Sequence, residues 1–173
     1  MPNYLKTFNY KASFDILPCK TNFVEFGLDI DSRCNFCKLH ADTAPHMFSN
    51  CPTIKHIWVK MDEIMRWLHF KFTFIESRKN SNFNLTGGDI VKEEEKLVIY
   101  LNTVVNYKIW KFNLKIQYDK IEYNQKQFFS SLCRTIDGRR KMQLSDRMKH
   151  SKKIQGIDRL YDAVKGIHAR LVG

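Results

Sequence analysis

Three cysteines and one histidine lie within a short stretch whose spacing suits a metal ion. Cys34 and Cys37 are followed by His46 and Cys51, which gives the pattern C-x2-C-x8-H-x4-C. Thiols separated by two residues can approach one ion from a single tight turn. Three thiolates and a neutral imidazole fill the four positions of a closed tetrahedral zinc site. Because no coordination position stays open, the pattern predicts a structural zinc ion and not a catalytic one.

The sequence alone leaves the nitrogen ligand open between two histidines. His56 would complete C-x2-C-x13-C-x4-H, which is also a permitted zinc pattern. We prefer His46, because it lies in a segment with no other evident fold, whereas His56 falls on the polar side of a predicted helix. His40 follows Cys37 by only three residues, too few to close a loop around the same ion.

The positive charge of the chain is concentrated in one segment. The formal net charge is +11, and residues 128–153 carry eight basic side chains against two acidic ones. A clustered cationic surface is typical of proteins that meet a phosphate backbone. The predicted phosphate contacts are Arg134, Arg139, Arg140, Lys141, Arg147, Lys149, Lys152 and Lys153. Phe36, between the first two thiols, is predicted either to stack on an unpaired base or to pack beneath the metal loop.

Composition predicts a globular chain in a reducing compartment. Hydrophobic residues make up 43%, and 13 Phe stand against 7 Gly and 4 Pro, which excludes a disordered chain. No apolar run reaches the roughly 18 residues that a membrane span needs, and the N-terminal residues lack the apolar segment of a secretion signal. Five cysteines, three of them in one metal pattern, favour an intracellular location over a disulfide framework. We expect Cys19 and Cys133 to be half-buried free thiols.

Periodicity places the metal loop among helices. The clearest helix opens at Pro52 and runs to about His69, with an apolar stripe at 3.6-residue spacing. Further helices are predicted over residues 4–17, 22–27, 89–112, 124–136 and 155–171. Asp89 is predicted to cap the helix over 89–112, and Asp137-Gly138 to end the helix over 124–136. Apolar and polar residues alternate over 70–74, which predicts an extended segment, and the polar, turn-forming residues over 77–88 predict a linker. Leu28 and Ile30 are expected to pack beneath the metal loop.

These elements predict a mainly α fold, in which a small Cys3His zinc-stapled loop packs on a helix and precedes a helical C-terminal bundle. Three regions follow: a zinc-binding module over residues 1–69, a connector over 70–88 and a helical basic tail region over 89–173.

A longer set of residues resembles a known family. The set comprises Leu17-Pro18, a helix ending at Gly27, Cys34-x-x-Cys37, Asp42-Thr43, His46-Met47-Phe48, Cys51-Pro52 and Trp58. This order is similar to the zinc-binding module at the C-terminus of non-LTR (LINE-type) retrotransposon reverse transcriptases, over about residues 8–68. Lys38 departs from the family, which often has glycine there, and Met47 replaces a usual leucine. Residues 89–136, with Tyr107-Lys108-Ile109-Trp110-Lys111, resemble the helical tail that often follows the module.

The resemblance implies metal ligands at Cys34, Cys37, His46 and Cys51. It also implies that the module binds template RNA or target DNA beside a polymerase. It also implies a nuclear location. Polymerase and endonuclease regions are missing from this sequence, so we expect no enzyme activity in the chain. The predicted function is therefore a zinc-stabilised module that binds RNA or DNA, with no membrane partner. The alternative is a helical interaction domain, whose stripes on 89–112 and the last helix dock a polymerase-containing polypeptide or a second copy.

Overall fold

The structure, a computed structural model, describes residues 1–68, 93–145 and 151–172. Six α-helices account for most of them: α1 (Asn3–Ser13), α2 (Lys20–Glu25), α3 (Lys55–Trp67), α4 (Glu93–Tyr118), α5 (Gln125–Ser145) and α6 (Ser151–Val172). The only β pairing among the described residues is a single antiparallel bridge between Arg33 and Ala41. The predicted mainly α class is confirmed. Across the described helices, none combines the length and apolarity that a membrane crossing requires.

The chain divides into two compact units that cut across the predicted regions. The first unit joins Met1–Ile57 to Thr103–Asn124, and the second joins Trp58–Asn102 to Gln125–Gly173. The predicted ranges 1–69, 70–88 and 89–173 therefore do not correspond to these units. The metal loop shares its unit with the C-terminal part of α4, a partner that lies far along the chain. The extended segment at 70–74, the linker and the Asp89 cap fall outside the described residues.

The first unit is built around aromatic contacts between α1 and α4. Leu5 and Phe8 are the buried residues of α1. The Phe8 ring centroid lies 5.6 Å from that of Tyr107 and 5.8 Å from that of Trp110. The amide of Asn9 donates to Thr103 Oγ1 at 3.2 Å. Tilted and edge-on rings at these distances are favourable packing arrangements, so α4 is held against the N-terminal segment.

In the second unit, α5 and α6 pack against each other through periodic apolar faces. The buried side chains are Phe128, Phe129, Leu132 and Ile136 on α5, and Ile157, Leu160, Val164 and Ile167 on α6. Trp58, Met61, Ile64, Met65 and Leu68 form the buried stripe of α3 and its end. The guanidinium of Arg159 donates to the carbonyl oxygen of Leu68 at 3.3 Å.

The predicted end of a helix at Asp137-Gly138 is wrong, because α5 continues to Ser145. A glycine inside a helix costs about 1 kcal/mol relative to alanine, which is too little to end a helix whose preceding turns are packed through Phe128, Phe129, Leu132 and Ile136. Asp137 also supports the helix, since its carboxylate pairs with Arg140 at 3.1 Å and Lys141 at 2.7 Å, one turn on.

Two further local expectations fail near the metal loop. Leu28 and Ile30 are exposed rather than packed beneath it. Helix α2 begins at Lys20, before the predicted cap at Asn22. The Asn22 amide instead donates to the carbonyl oxygens of Asp15 and Leu17 at 3.3 and 3.2 Å, closing the turn that joins α1 to α2.

Candidate metal centre

The first pair of candidate ligands lies on a tight turn. Backbone N–H of Lys38 donates to the carbonyl of Cys34 at 2.9 Å, and N–H of Cys34 donates to the carbonyl of His40 at 2.7 Å. Lys38 adopts a left-handed backbone conformation with φ of +58°. Glycine reaches this region without a Cβ clash, which accounts for the glycine that the resembling family often has at this position. The turn returns the chain to the Arg33–Ala41 bridge.

The second pair is positioned by a short helical segment after Thr43. The Thr43 hydroxyl accepts the backbone N–H of His46 at 3.2 Å, and its carbonyl accepts that of Met47 at 2.8 Å. A single π-helical turn, His46–Asn50, then leads to Cys51, whose N–H donates to the His46 carbonyl at 2.8 Å. Met47 is fully buried and anchors this turn. Cys51 directly precedes the 3-10 turn Pro52–Ile54, which leads into α3.

The four donor atoms lie close together, and two of their separations match a tetrahedral zinc site. One ligand atom from each of Cys34, Cys37, His46 and Cys51 lies within 4.8 Å of every other. The sulfurs of Cys34 and Cys51 are 3.9 Å apart, and Cys37 Sγ is 3.4 Å from His46 Nε2. Tetrahedral zinc, with Zn–S near 2.3 Å and Zn–N near 2.0–2.1 Å, requires about 3.8 Å between sulfurs and about 3.6 Å between sulfur and nitrogen. The residues present therefore fit the ion.

The pKa values of these groups couple metal binding to pH. Burial lowers the pKa of His46, so the imidazole is neutral and can offer its lone pair. The neighbouring Cys51 thiol, followed by burial, raises the pKa of Cys34. The pKa of Cys51 is lowered by Cys34 and, after it, by the backbone N–H groups of residues 53 and 54, against the opposing effect of burial. Zinc ligation requires all three cysteines as thiolates, so binding displaces protons and depends on pH.

A buried polar network connects the turn to α4. Asn113 is fully buried; its Oδ1 accepts the Asn35 amide at 2.9 Å, and its Nδ2 donates to the Asp42 carboxylate at 3.3 Å. Asp42 is also fully buried and accepts the backbone N–H of Lys20 at 3.1 Å, at the start of α2. The Lys20 ammonium donates to the Arg33 carbonyl at 2.9 Å. A residue between the first two ligands and a residue shortly after them are thus held by one side chain from a helix more than 70 positions later in the chain.

Sequence reasoning missed Asn113, although the sequence holds a signal for it. Asn113 falls beside Phe112 on the apolar stripe that continues from Ile109. A polar side chain on a buried stripe must find a hydrogen-bond partner. The pattern marks such a residue, but it does not say that the partner is the metal loop.

The other two histidines lie in different environments. His56 is half-buried on α3, and its Nε2 lies 2.9 Å from the Tyr123 hydroxyl. It is not in the donor cluster. The exposed His40 ring stacks on that of His46 at 5.1 Å, with its Nδ1 3.8 Å from Cys37 Sγ. Of the remaining thiols, Cys133 is half-buried as expected, whereas Cys19 is fully buried.

Phe36 lies in the packed part of the metal loop, and its stacking on a base stays a prediction. Its side chain is only 9% exposed and meets the Tyr123 ring edge-on, with centroids 5.5 Å apart. The alternative expectation, packing beneath the loop, describes its position. The hydroxyl of Thr53 also donates to the Phe36 carbonyl at 3.4 Å.

The structure describes half of the predicted phosphate contacts. Arg134 and Lys141 are exposed on α5, and Arg139 is half-exposed. Arg140 is engaged within the chain, since it pairs with Asp137 and with Asp158 and lies 4.5 Å from the centroid of the Tyr161 ring. Arg147 and Lys149 fall outside the described residues, and the side chains of Lys152 and Lys153 on α6 are likewise not described.

Comparison with known proteins identifies the kind of module that this site belongs to. Residues 1–58 match the protein-family model described as zinc-binding in reverse transcriptase. Residues 1–58 are therefore similar to the zinc-binding module of reverse transcriptases, and their donor set fits a structural zinc ion. The match includes all four donor residues and ends before α4. Neither the search of curated proteins nor that of solved structures gave a match.

Proposed function

We propose that the chain is a non-catalytic nucleic-acid-binding module that zinc stabilises, with the ion held by Cys34, Cys37, His46 and Cys51. The observation that supports it is the zinc-binding match over residues 1–58, whose four donors lie within 4.8 Å of one another. Reverse transcriptases handle RNA and DNA strands, so a module of this type has a nucleic acid nearby. The closed donor set gives the ion no position for a substrate, which favours a structural role.

The charge of the chain supports phosphate contact. The net charge of +11 leaves an excess of cations after internal ion pairs form. On α5, Arg134 and Lys141 are exposed and two turns apart, so they lie on one side of the helix, and Lys141 pairs with Asp137 at 2.7 Å while staying 69% exposed. Arg140 has partners within the chain, and we assign it to holding α5 and α6 together rather than to phosphate contact. Arg139, Arg147, Lys149, Lys152 and Lys153 complete the proposed contacts.

A salt series tests the proposal. Zinc-loaded protein is titrated with single- and double-stranded RNA and DNA in a filter-binding assay between low and moderate salt. Neutralising four to six phosphates gives a slope of about −3 to −5 in log K against log salt. Little sequence preference is expected, because phosphate contacts carry no base information.

The variant Arg134→Ala/Lys141→Ala should weaken binding and flatten the slope by about 1.4 on single strands. The variant Lys6→Ala/Lys11→Ala removes the same charge from exposed positions of α1 and is the matched control. Binding that ignores salt, or equal effects of the two variants, would contradict the proposed contacts.

A second candidate function is protein docking, but not through the stripes that the sequence suggested. Most described apolar residues on the stripes of α4 and α6 are buried within the chain, for example Val104, Ile109 and Leu160. Exposed apolar side chains instead occur near α1 and α2, where Phe14 is 64% and Phe26 is 82% exposed. Light scattering across a concentration series tests self-association. An assembly that Phe26→Ser disperses would favour this function, and a monomer at all concentrations would oppose a second copy as partner.

A further inference from the structure

A cavity of about 450 Å³ opens beside the metal loop in the first unit. Its lining comes from the cysteine turn, from the start of the segment leading into α3, and from the end of α4 with the residues after it. The lining residues are Asn35, Phe36, Lys38, Thr53, Ile116, Lys120, Ile121, Glu122 and Tyr123. This volume lies within the usual range for small-molecule sites, about 300–1,000 Å³.

One wall of the cavity is a fixed aromatic ring. The Tyr123 ring is met edge-on by Phe36 at 5.5 Å and by Phe112 at 6.1 Å. Its hydroxyl lies 2.9 Å from His56 Nε2, so the ring is held at both its edge and its tip. Ile116 and Ile121 add aliphatic surface to the lining. A planar apolar group would therefore meet a preformed surface with little side-chain ordering cost.

The mouth carries two lysines in an unusual backbone conformation. Among the described residues, three that are not glycine have positive φ: Asp15, Lys38 at +58° and Lys120 at +55°. Both lysines are exposed and line this cavity. The left-handed conformation costs a residue with a Cβ about 1–2 kcal/mol relative to glycine. Strained positions of this kind cluster at binding sites, and here both carry a mobile cation.

We propose that this cavity binds one unpaired nucleotide of a single strand, with the base against Tyr123, Ile116 and Ile121 and the adjoining phosphates at Lys38 and Lys120. This inference rests on the proposed function and adds a single-strand subsite beside the zinc. A paired base in a duplex keeps its faces stacked, so only an unpaired one can enter. An apolar ligand would leave the lysines unused, and a simple anion would leave the apolar walls unused.

Two details of the lining bear on the charge balance. The Lys120 ammonium donates to the Gln117 carbonyl at 2.8 Å, a contact with the end of α4 that a flexible side chain can exchange for a phosphate oxygen. Glu122 is the one carboxylate of the lining and is exposed. The lining residues therefore sum to a net charge of +1, which attracts the phosphates of a strand.

The test uses the full zinc-loaded chain and a short oligouridylate. Lys38→Ala/Lys120→Ala should reduce the magnitude of the single-strand salt slope by about 1.4, since two phosphate contacts disappear. Lys6→Ala/Lys11→Ala, which removes the same charge from the same unit, should leave the slope unchanged. Ile121→Trp should fill the cavity and weaken oligouridylate binding about 10-fold, within the range for one stacked base.

Photocrosslinking of 5-iodouridine in the oligonucleotide locates the base. Crosslinks in the peptide that contains Tyr123, lost in Ile121→Trp, would support the subsite. Salt-dependent binding with unchanged slope in Lys38→Ala/Lys120→Ala and no crosslink at residues 116–123 would overturn the subsite while leaving the proposed function standing. Absence of any oligonucleotide binding would overturn both, and metal content and circular dichroism show that each variant is folded.

Discussion

The substitution Asn113→Ala should weaken zinc binding although residue 113 is not a candidate ligand. It removes the hydrogen bonds of Asn113 to the Asn35 amide at 2.9 Å and to the Asp42 carboxylate at 3.3 Å. One neutral bond and one bond to a charged group together contribute about 2–4 kcal/mol. Both remaining partners are buried, so each loses the hydrogen-bond partner that Asn113 supplies.

Only part of the lost hydrogen-bond free energy should appear as weaker zinc binding. Loss of a residue that supports the ligands typically lowers metal affinity about 10–100-fold, which corresponds to about 1.4–2.8 kcal/mol. We therefore expect the apparent zinc dissociation constant of Asn113→Ala to rise by that factor. The remainder should appear as a lower free energy of unfolding of the metal-free protein.

The assay is competition between the chain and a chromophoric zinc chelator, with cobalt absorption to report the coordination geometry. Asn113→Asp has nearly the same shape but cannot donate to Asp42, so it should also lose affinity. Gln117→Ala lies on the same helix outside the network and serves as the control. Zinc affinity within about twofold of wild type in Asn113→Ala, or an unaffected Asn113→Asp, would refute the role assigned to these hydrogen bonds.

Three further predictions follow from backbone geometry and the metal. Lys38→Gly should stabilise the chain by about 1 kcal/mol over Lys38→Ala, because only glycine relieves the positive φ; chemical denaturation of both variants checks this. Gly138→Ala should stabilise the chain by about 1 kcal/mol, since a Cβ there meets no atom within 4 Å, whereas Gly27→Ala should destabilise it at φ of +85°; reversed signs in thermal melts would contradict the reasoning. Cys34→Ser/Cys37→Ser should abolish stoichiometric zinc and raise hydrogen exchange in the first unit; elemental analysis showing one bound zinc would argue against it.

The sequence predicted features that depend on local spacing. The helix after Pro52, the apolar stripes and the mainly α class all follow from periods that a window of about fifteen residues reveals. Zinc was predicted from the same kind of local pattern. These features need no knowledge of which distant segments meet.

The features that were missed depend on tertiary packing. Asn35 and Asn113 are hydrogen-bonded although they are 78 positions apart in the sequence. Nothing in either segment predicts a contact with the other. The two units cross the predicted boundaries for the same reason. Gly138 was given too much weight, because helix propensity is small beside the packing of Phe128, Phe129 and Ile136.

The discontinuous first unit has a consequence for biosynthesis. The candidate ligands leave the ribosome long before Thr103–Asn124, the segment that completes their unit. At about 5–20 residues per second, the chain between Cys51 and Asn124 takes several seconds to be made. During this interval the nascent thiols lack the support of Asn113 and are open to oxidation or to exchange of a loosely held ion. Final metal capture should therefore be a late event, completed when the distal helix docks.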